Sequence, residues 1–303
     1  MNKAQITLFA AALCFTAISH AATINIDCDA GQTIMAALPK TKPGDTLLVS
    51  GTCNEHVNIA PEYVNLTLDG QKKTTIRHPG GNALSPHAVY IRGKEITIKG
   101  FTITGGLDGL HLSGPASGVA DGNTVTGNKG RGIHIDKGSI IRLLNNTVEN
   151  SGGIGIDITG ASYAYIGVYI PRVPALSPNI VRNNGGPGIN IERTAGAWVV
   201  GNIISNNKEA GIAVHRNAQA DVIGNVISGN GGDAISVSFN GGVNLSSETR
   251  RDGPNRSETG QNNAGAAIRC TAGGYVDGPM GGLAGAKGGK VIDSGCVDRV
   301  TAQ

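Results

Sequence analysis

Short runs of alternating apolar and polar residues return along this chain at a fixed interval. The pattern Gly-[Ile/Leu]-x-[Ile/Leu/Val] appears as Gly109-Leu110-His111-Leu112, Gly132-Ile133-His134-Ile135 and Gly155-Ile156-Asp157-Ile158. It recurs as Gly188-Ile189-Asn190-Ile191 and Gly211-Ile212-Ala213-Val214, and Ala234-Ile235-Ser236-Val237 is a sixth copy with Ala for Gly. The steps are 23, 23, 33, 23 and 23 residues, and a period in this range marks a solenoid. Each unit holds three alternating runs; from Gly132 they are Ile133/Ile135, Ile141/Leu143 and the run around Val148. Alternation buries one face of a strand. Three strands and three turns per unit predict a triangular coil, each strand pairing with its equivalent about 4.8 Å away in the next coil. Helices are excluded, because apolar spacing of three to four residues is absent and Gly and Asn recur inside every unit. The fold class expected is all-β, a right-handed parallel β-helix with a short N-terminal capping helix.

Polar residues keep the same phase. Asn123, Asn146, Asn179, Asn202 and Asn225 mark one corner, and Asn128, Ser151, Asn184, Asn207 and Asn230 follow five residues later. Asn tolerates the left-handed backbone of a tight turn, and stacked Asn side chains can bond to one another. The one long step contains Pro171, Pro174 and Pro178, which predicts a loop inserted between the second and third strands of its coil. Gln32 to Leu38, with Ile34, Met35 and Leu38 apolar, reads as a helix covering the open end of the core. The expected organisation is a cap over 22–45, regular coils over 46–240, a polar loop over 241–265 and a Gly-rich end over 266–303, all one domain.

The order of cap helix, Pro43-Gly44-Asp45, apolar strand and Gly51-Thr52-Cys53 resembles the entry segment of the pectin-lyase-like superfamily. The coils from Ala88 to about Asn240 are similar to the repeats of its right-handed β-helix region family. That superfamily includes pectate lyases, polygalacturonases, uronan epimerases and periplasmic proteins associated with copper delivery. The resemblance implies the fold and a binding cleft on the sheet that carries the Gly-Ile-x-Ile strands. The Asp-Pro-His-Asp of mannuronan epimerases, the paired Asp of polygalacturonases and the Arg-x-Pro-Arg of pectate lyases are absent from this sequence.

Composition narrows the setting. Residues 1–21 read as a signal peptide, with Lys3 at the start, an apolar run from Ile6 to Ile18, and Ser19-His20-Ala21 before cleavage. Export to the periplasm or beyond is therefore expected, and no other run is apolar enough to span a membrane. Four cysteines remain outside that segment, and one-coil spacing favours Cys28–Cys53 and Cys270–Cys296 as disulfides. The chain carries 25 basic and 22 acidic residues with no basic block, which excludes a nucleic-acid footprint. The repeat assigns no oligomeric state.

In each Gly-Ile-x-Ile strand the middle residue points outward. That column reads Tyr90, His111, His134, Asp157, Asn190, Ala213, Ser236, and the next outward column reads Arg92, Ser113, Asp136, Thr159, Glu192, His215, Ser238. Asp108, Arg131 and Asp233 stand just before the glycine position. Outward positions on a solvated strand must be polar, so charge alone marks no site. Two histidines stacked one rung apart are less expected, since two cations at that distance repel. Acid–base chemistry on a sugar is the functional expectation: His134 as base and Arg131 as its charge partner in an elimination, or Asp157 and Glu192 as paired carboxylates in a hydrolysis. Tyr90, Asp108, His111, Asp136, Asn190 and His215 are the expected substrate contacts, and an acidic polysaccharide is the expected partner. The alternatives are a non-catalytic exported scaffold and a periplasmic metal-handling protein. His111, His134 and Asp157 are ligand types on consecutive rungs, but three ligands in a row on a flat sheet do not enclose an ion. No metal or other cofactor is assigned on that basis, although a divalent metal stays open. His56, His78 and His87 share no register in the sequence. Trp198 is expected to face outward and fill a surface groove.

Overall fold

The alternating runs form strands, and the strands wind into a right-handed parallel β-solenoid. A computed structural model describes residues 21–80, 86–169, 175–245, 253–258, 260–286 and 296–299. The expected signal segment lies, apart from Ala21, outside the described residues. Among those residues no helix is long and apolar enough to cross a membrane.

One side of the coil is a nine-stranded parallel sheet. Its strands in chain order are Val57–Ile59, Val89–Ile91, Leu110–Leu112, Ile133–Ile135, Ile156–Ile158, Ile189–Glu192, Ile212–His215, Ile235–Ser238 and Ile268–Thr271. The remaining solenoid strands form an eighteen-stranded sheet around the other two sides. Register follows the repeat without slippage here: Ile133 pairs with Leu110 and Ile156, and Ile135 with Leu112 and Ile158. These inward side chains stack into one continuous core in which Ile133, Ile156, Ile189, Ile212 and Ile235 have no solvent exposure. Burying each contributes about 1.5–3 kcal/mol relative to leaving it in water. Where a glycine precedes the strand, close approach requires it. A Cβ at Gly132 would collide with the Val148 side chain and the Gly155 carbonyl.

The asparagines form two hydrogen-bonded ladders inside the corners. Asn179 Nδ2 donates to Asn202 Oδ1 and to the Leu143 carbonyl, while Asn179 Oδ1 accepts from the backbone N–H and the Nδ2 of Asn146. The expectation that these residues supply left-handed turns is corrected. Their neighbours do so instead, with positive φ at Gly122, Asn145, Gly201 and Gly224, just before ladder residues. The ladder asparagines are buried and do the bonding.

The regular coil does not end near residue 240. Gly242–Asn244 pairs with Gln219–Asp221, Tyr275–Asp277 pairs in turn with Gly242–Asn244, and Ile268–Thr271 closes the nine-stranded sheet. Asn255 and Asn263 continue the two ladders from Asn225 and Asn230. They follow at separations of 30 and 33 residues, so insertions break the period while the hydrogen bonds keep it.

At the entry, Thr33 caps the helix Ile34–Ala37 by accepting from the Ala36 N–H, and a 3-10 turn follows over Leu38–Lys40. Ile34 and Leu38 are buried as expected, whereas Met35 is exposed, because a helix this short turns only one face inward. The disulfides are Cys28–Cys53 and Cys270–Cys296, with Cα separations of 5.0 and 4.6 Å. The inserted segment forms an antiparallel arm, Val168–Tyr169 with Ala175–Leu176. Trp198 lies beside it with Tyr165, packed on Val168, Val200 and Ile223.

Candidate functional site

The nine-stranded sheet brings all ten sequence-predicted contact and catalytic residues onto one continuous face. Tyr90, His111, His134, Asp157 and Asn190 pair in register across consecutive strands, and Glu192 pairs with His215. Outward does not mean solvated, however. Asp108 and Asp157 are each 1 % exposed, and His111, His134 and Asn190 are also buried. Their neighbours one rung up and down cover them, giving a packed polar layer on the outside of the coil.

Asp108 anchors the first half of that layer. Its Oδ2 lies 3.1 Å from His87 Nδ1 and 3.4 Å from His134 Nδ1, and its Oδ1 accepts the Arg131 backbone N–H. Arg131 places Nε 2.7 Å from Asp157 Oδ2 and Nη1 3.6 Å from Asp108 Oδ1, so one guanidinium bridges two carboxylates. His134 Nε2 is 3.7 Å from Asp157 Oδ2. The rings of His111 and His134 stack with centroids 4.3 Å apart and planes 21° from parallel. His111 Nε2 faces Asp136 Oδ1 at 3.3 Å. His111 Nε2, His134 Nδ1 and Arg131 Nε lie at ion-pair distance from these carboxylates but off the hydrogen-bond line. Tyr90 lies against both His87 and His111, under the guanidinium of Arg92.

The electrostatics follow from this packing. Burial pushes the Asp108 carboxyl up, but the His134 and His87 rings facing it and the Arg131 charge outweigh it, holding Asp108 well below the usual carboxylate range. Asp136 is also held low: burial is outweighed by the Ser113 hydrogen bond and by His111 and His134. Burial, reinforced by the two neighbouring histidines, lowers His111 to about 4, so its ring is neutral at pH 7.

The second half lies one to three coils further on. Asn190 Nδ2 donates to Asp157 Oδ1 at 2.7 Å, and Asn190 Oδ1 lies 2.8 Å from His215 Nε2. Glu192 is held by Arg216 at 2.6 Å and Arg193 at 3.2 Å. A groove of about 540 Å³ opens here, lined by Gly153, Pro187, Asn190, Glu192, His215 and Ser236 among others. Asp233, further along, pairs with Arg269.

His87 is the residue that sequence reasoning missed. It does share the site: its Nε2 is 3.0 Å from His111 Nδ1. The separation of 24 residues, one more than the coil, was the available signal. Arg193, Arg216 and Arg269 also escaped notice, because two lie in the turn after the strand and the third lies beyond the last regular repeat. In metal-binding terms, ligand atoms of His87, Asp108 and His111 fall within 4.8 Å of one another, as do those of His111, His134 and Asp136.

A family model described as the right handed beta helix region matches residues 66–227 and 163–277. Among solved structures, the pectate lyase Pel9A is 10 % identical with a TM-score of 0.58, covering 95 % of this chain and 80 % of its own. An alginate lyase from Paenibacillus sp. is 16 % identical with a TM-score of 0.58, covering 91 % and 99 %. The A-module of the Azotobacter vinelandii mannuronan C-5 epimerase AlgE4 is 11 % identical with a TM-score of 0.55, covering 87 % and 84 %. At these identities the likeness is one of fold. No curated protein sequence matches the chain. With its coils matched over most of their length and its strands in the register described, the chain belongs to the right-handed β-helix region family.

Proposed function

We propose that this protein binds an acidic polysaccharide along its nine-stranded sheet and acts on it by proton abstraction, as a lyase or an epimerase. The observation that carries the reading is the Asp108–His134 pair beside Arg131. His134 turns Nδ1 to Asp108 at 3.4 Å and keeps Nε2 at a looser 3.7 Å from Asp157. A proton taken at Nε2 would create an imidazolium held between two carboxylates, the arrangement a general base needs. Arg131, Arg193 and Arg216 are partly exposed guanidiniums, the last two paired with Glu192 in the wall of the groove, suited to the carboxylates of a uronate chain. Tyr90, His111, Asp136, Asn190 and His215 supply the remaining contacts.

Hydrolysis is less well supported. It needs one protonated carboxyl facing a second carboxylate. Asp157 is tied to Arg131 and Asn190, Glu192 to Arg193 and Arg216, and Asp108 and Asp136 are held low. The fold neighbours named for activity on pectate, alginate and mannuronan motivate the choice of an acidic polymer. The leader-like start and the two disulfides motivate a site of action in the periplasm or outside the cell. A second reading, a non-catalytic scaffold, draws support from Arg131, whose charge is already matched by Asp108 and Asp157.

Titration calorimetry with polyuronate and neutral oligosaccharides tests the binding claim. Binding of the charged series alone, weakened tenfold or more by Arg216→Ala, is expected. Equal binding of neutral chains, or none of either, contradicts it.

A further inference from the structure

Aromatic side chains are scarce in this chain, which has six tyrosines and one tryptophan. Tyr163, Tyr165, Trp198 and Tyr275 nevertheless gather on a different side of the coil from the nine-stranded sheet. Two columns run in register there, across the strands Tyr163–Ile166, Gly196–Val200, Gln219–Ile223, Gly242–Asn244 and Tyr275–Asp277. One column reads Tyr163, Gly196, Gln219, Gly242, Tyr275, and the other Tyr165, Trp198, Asp221, Asn244, Asp277. Alternation turns both outward. The two glycines leave rungs without a side chain, and tyrosine rings lean over them from either end. A Cβ at Gly196 would collide with the Tyr163 ring, and one at Gly242 with the Tyr275 ring. Tyr275 Oη also donates to Gln219 Oε1 at 2.6 Å. Between the rings opens a pocket of about 300 Å³, lined by Tyr163, Gln219, Asp221, Asn244, Tyr275 and Asp277 among others.

The charge in this pocket has one sign: Asp221 and Asp277 line it, and among the described residues no lining side chain is basic. Burial pushes the Asp221 carboxyl up. Burial, with Tyr165 and Asp221 nearby, pushes the Tyr163 hydroxyl up to about 12, so that ring stays neutral. Further back on the same side, aromatic rings already hold a cation. The Arg142 guanidinium lies 5.4 Å from the centre of the Tyr165 ring and 5.7 Å from that of Tyr169. We infer that the pocket binds a small organic ammonium ion, with Asp221 and Asp277 taking its charge and Tyr163 and Tyr275 offering ring faces. An ammonium is attracted both to carboxylates, through charge-assisted hydrogen bonds, and to the faces of aromatic rings. An amino sugar is the form that fits best. Gln219 and Asn244 carry amides that bond to hydroxyls, and a volume at the lower end of ligand pockets suits one ring rather than a chain. A uronate would meet like charge at Asp221 and Asp277, so the pocket selects against the polymer proposed for the nine-stranded sheet. The two sites lie on different sheets, and neither needs the other.

Calorimetric titration at about pH 6, where an amine of this kind is protonated, tests the inference with glucosamine, N-acetylglucosamine and spermidine. One equivalent of glucosamine bound is expected, with affinity at least about tenfold weaker for the acetylated sugar and in Asp221→Asn and Tyr275→Leu. Spermidine bound with the same dependence on Asp221, and glucosamine left unbound, also supports an ammonium site and assigns it to a linear amine. Polyuronate affinity measured in parallel is expected to be the same in both variants as in the wild type. Absence of any polyuronate binding would count against the function proposed above and not against this pocket. Circular dichroism of each variant separates loss of the site from loss of the fold. Binding of neither amine to the folded protein, equal binding of the acetylated sugar, or amine binding unchanged in both variants overturns the inference.

Discussion

At the scale of single residues, the outer face of this solenoid is governed by how much water its side chains lose. His111, His56 and His215 are all held below the ordinary histidine value, in each case first by burial. The sign of the consequence is fixed. As pH falls below about 6.5 the unfolded chain takes up these protons before the folded one does, so stability is full above that pH and declines toward the folded values, about 4 for His111. For His111 alone the loss amounts to at most about 3 kcal/mol. Thermal denaturation with chelator present should therefore show a falling midpoint from pH 7 to pH 4.5, and His111→Gln should flatten the curve. A midpoint constant across that range would contradict the burial account. The columns of this face were legible in the sequence because a period of two decides direction. Burial was not, because it depends on the neighbouring rungs: Asp157 is covered by residues 23 to 33 positions away.

At the scale of the element, the coil is stapled by its asparagines more than by its turns. Asn179 joins Asn146 to Asn202 with its side chain, entirely within the protein. Asn179→Ala would leave the buried backbone N–H of Asn146 without a partner and remove one of the two bonds to the Leu143 carbonyl, which keeps the Gly167 N–H, at a cost of about 1–3 kcal/mol. The second ladder has a natural gap. Ser151 stands where its equivalents are Asn, and both Ser151 Oγ and Asn128 Nδ2 lack hydrogen-bond partners. Ser151→Asn should close the gap and stabilise the protein by about 1 kcal/mol; urea denaturation of the two variants checks both signs. A neutral Asn179→Ala would show that the ladders are incidental. The phase of these residues was plain in the sequence up to Asn230. Beyond it, insertions carry Asn255 and Asn263 out of the 23-residue step, and a reader of spacing alone sees a loop. His87 was lost for a related reason: the offset of a single residue hid a contact that the chain makes by bending before its strand.

For the molecule as a whole, a solenoid is weakest where its core opens to solvent. Each end carries one disulfide, spanning 25 residues at Cys28–Cys53 and 26 at Cys270–Cys296. Loop-closure arithmetic gives about 3–4 kcal/mol for each, and the spacing made both pairings readable beforehand. Reduction should lower the unfolding midpoint and bring early hydrogen exchange at the two ends, while the amides of Ile133–Ile135 stay protected. Uniform loss of protection would contradict independent ends. Between those ends the long polar face offers a track that a polymer can follow. The central claim is that His134 on this track removes a proton from a uronate unit. The direct measurement is proton NMR of polyuronates incubated with the protein in heavy water, which detects the alkene of an elimination and the deuterium left by an epimerisation in one spectrum. The account predicts one of these products on at least one polyuronate, and its disappearance in His134→Ala with the fold intact. A full panel returned unchanged by protein that binds it, or a product undiminished in His134→Ala, would contradict it.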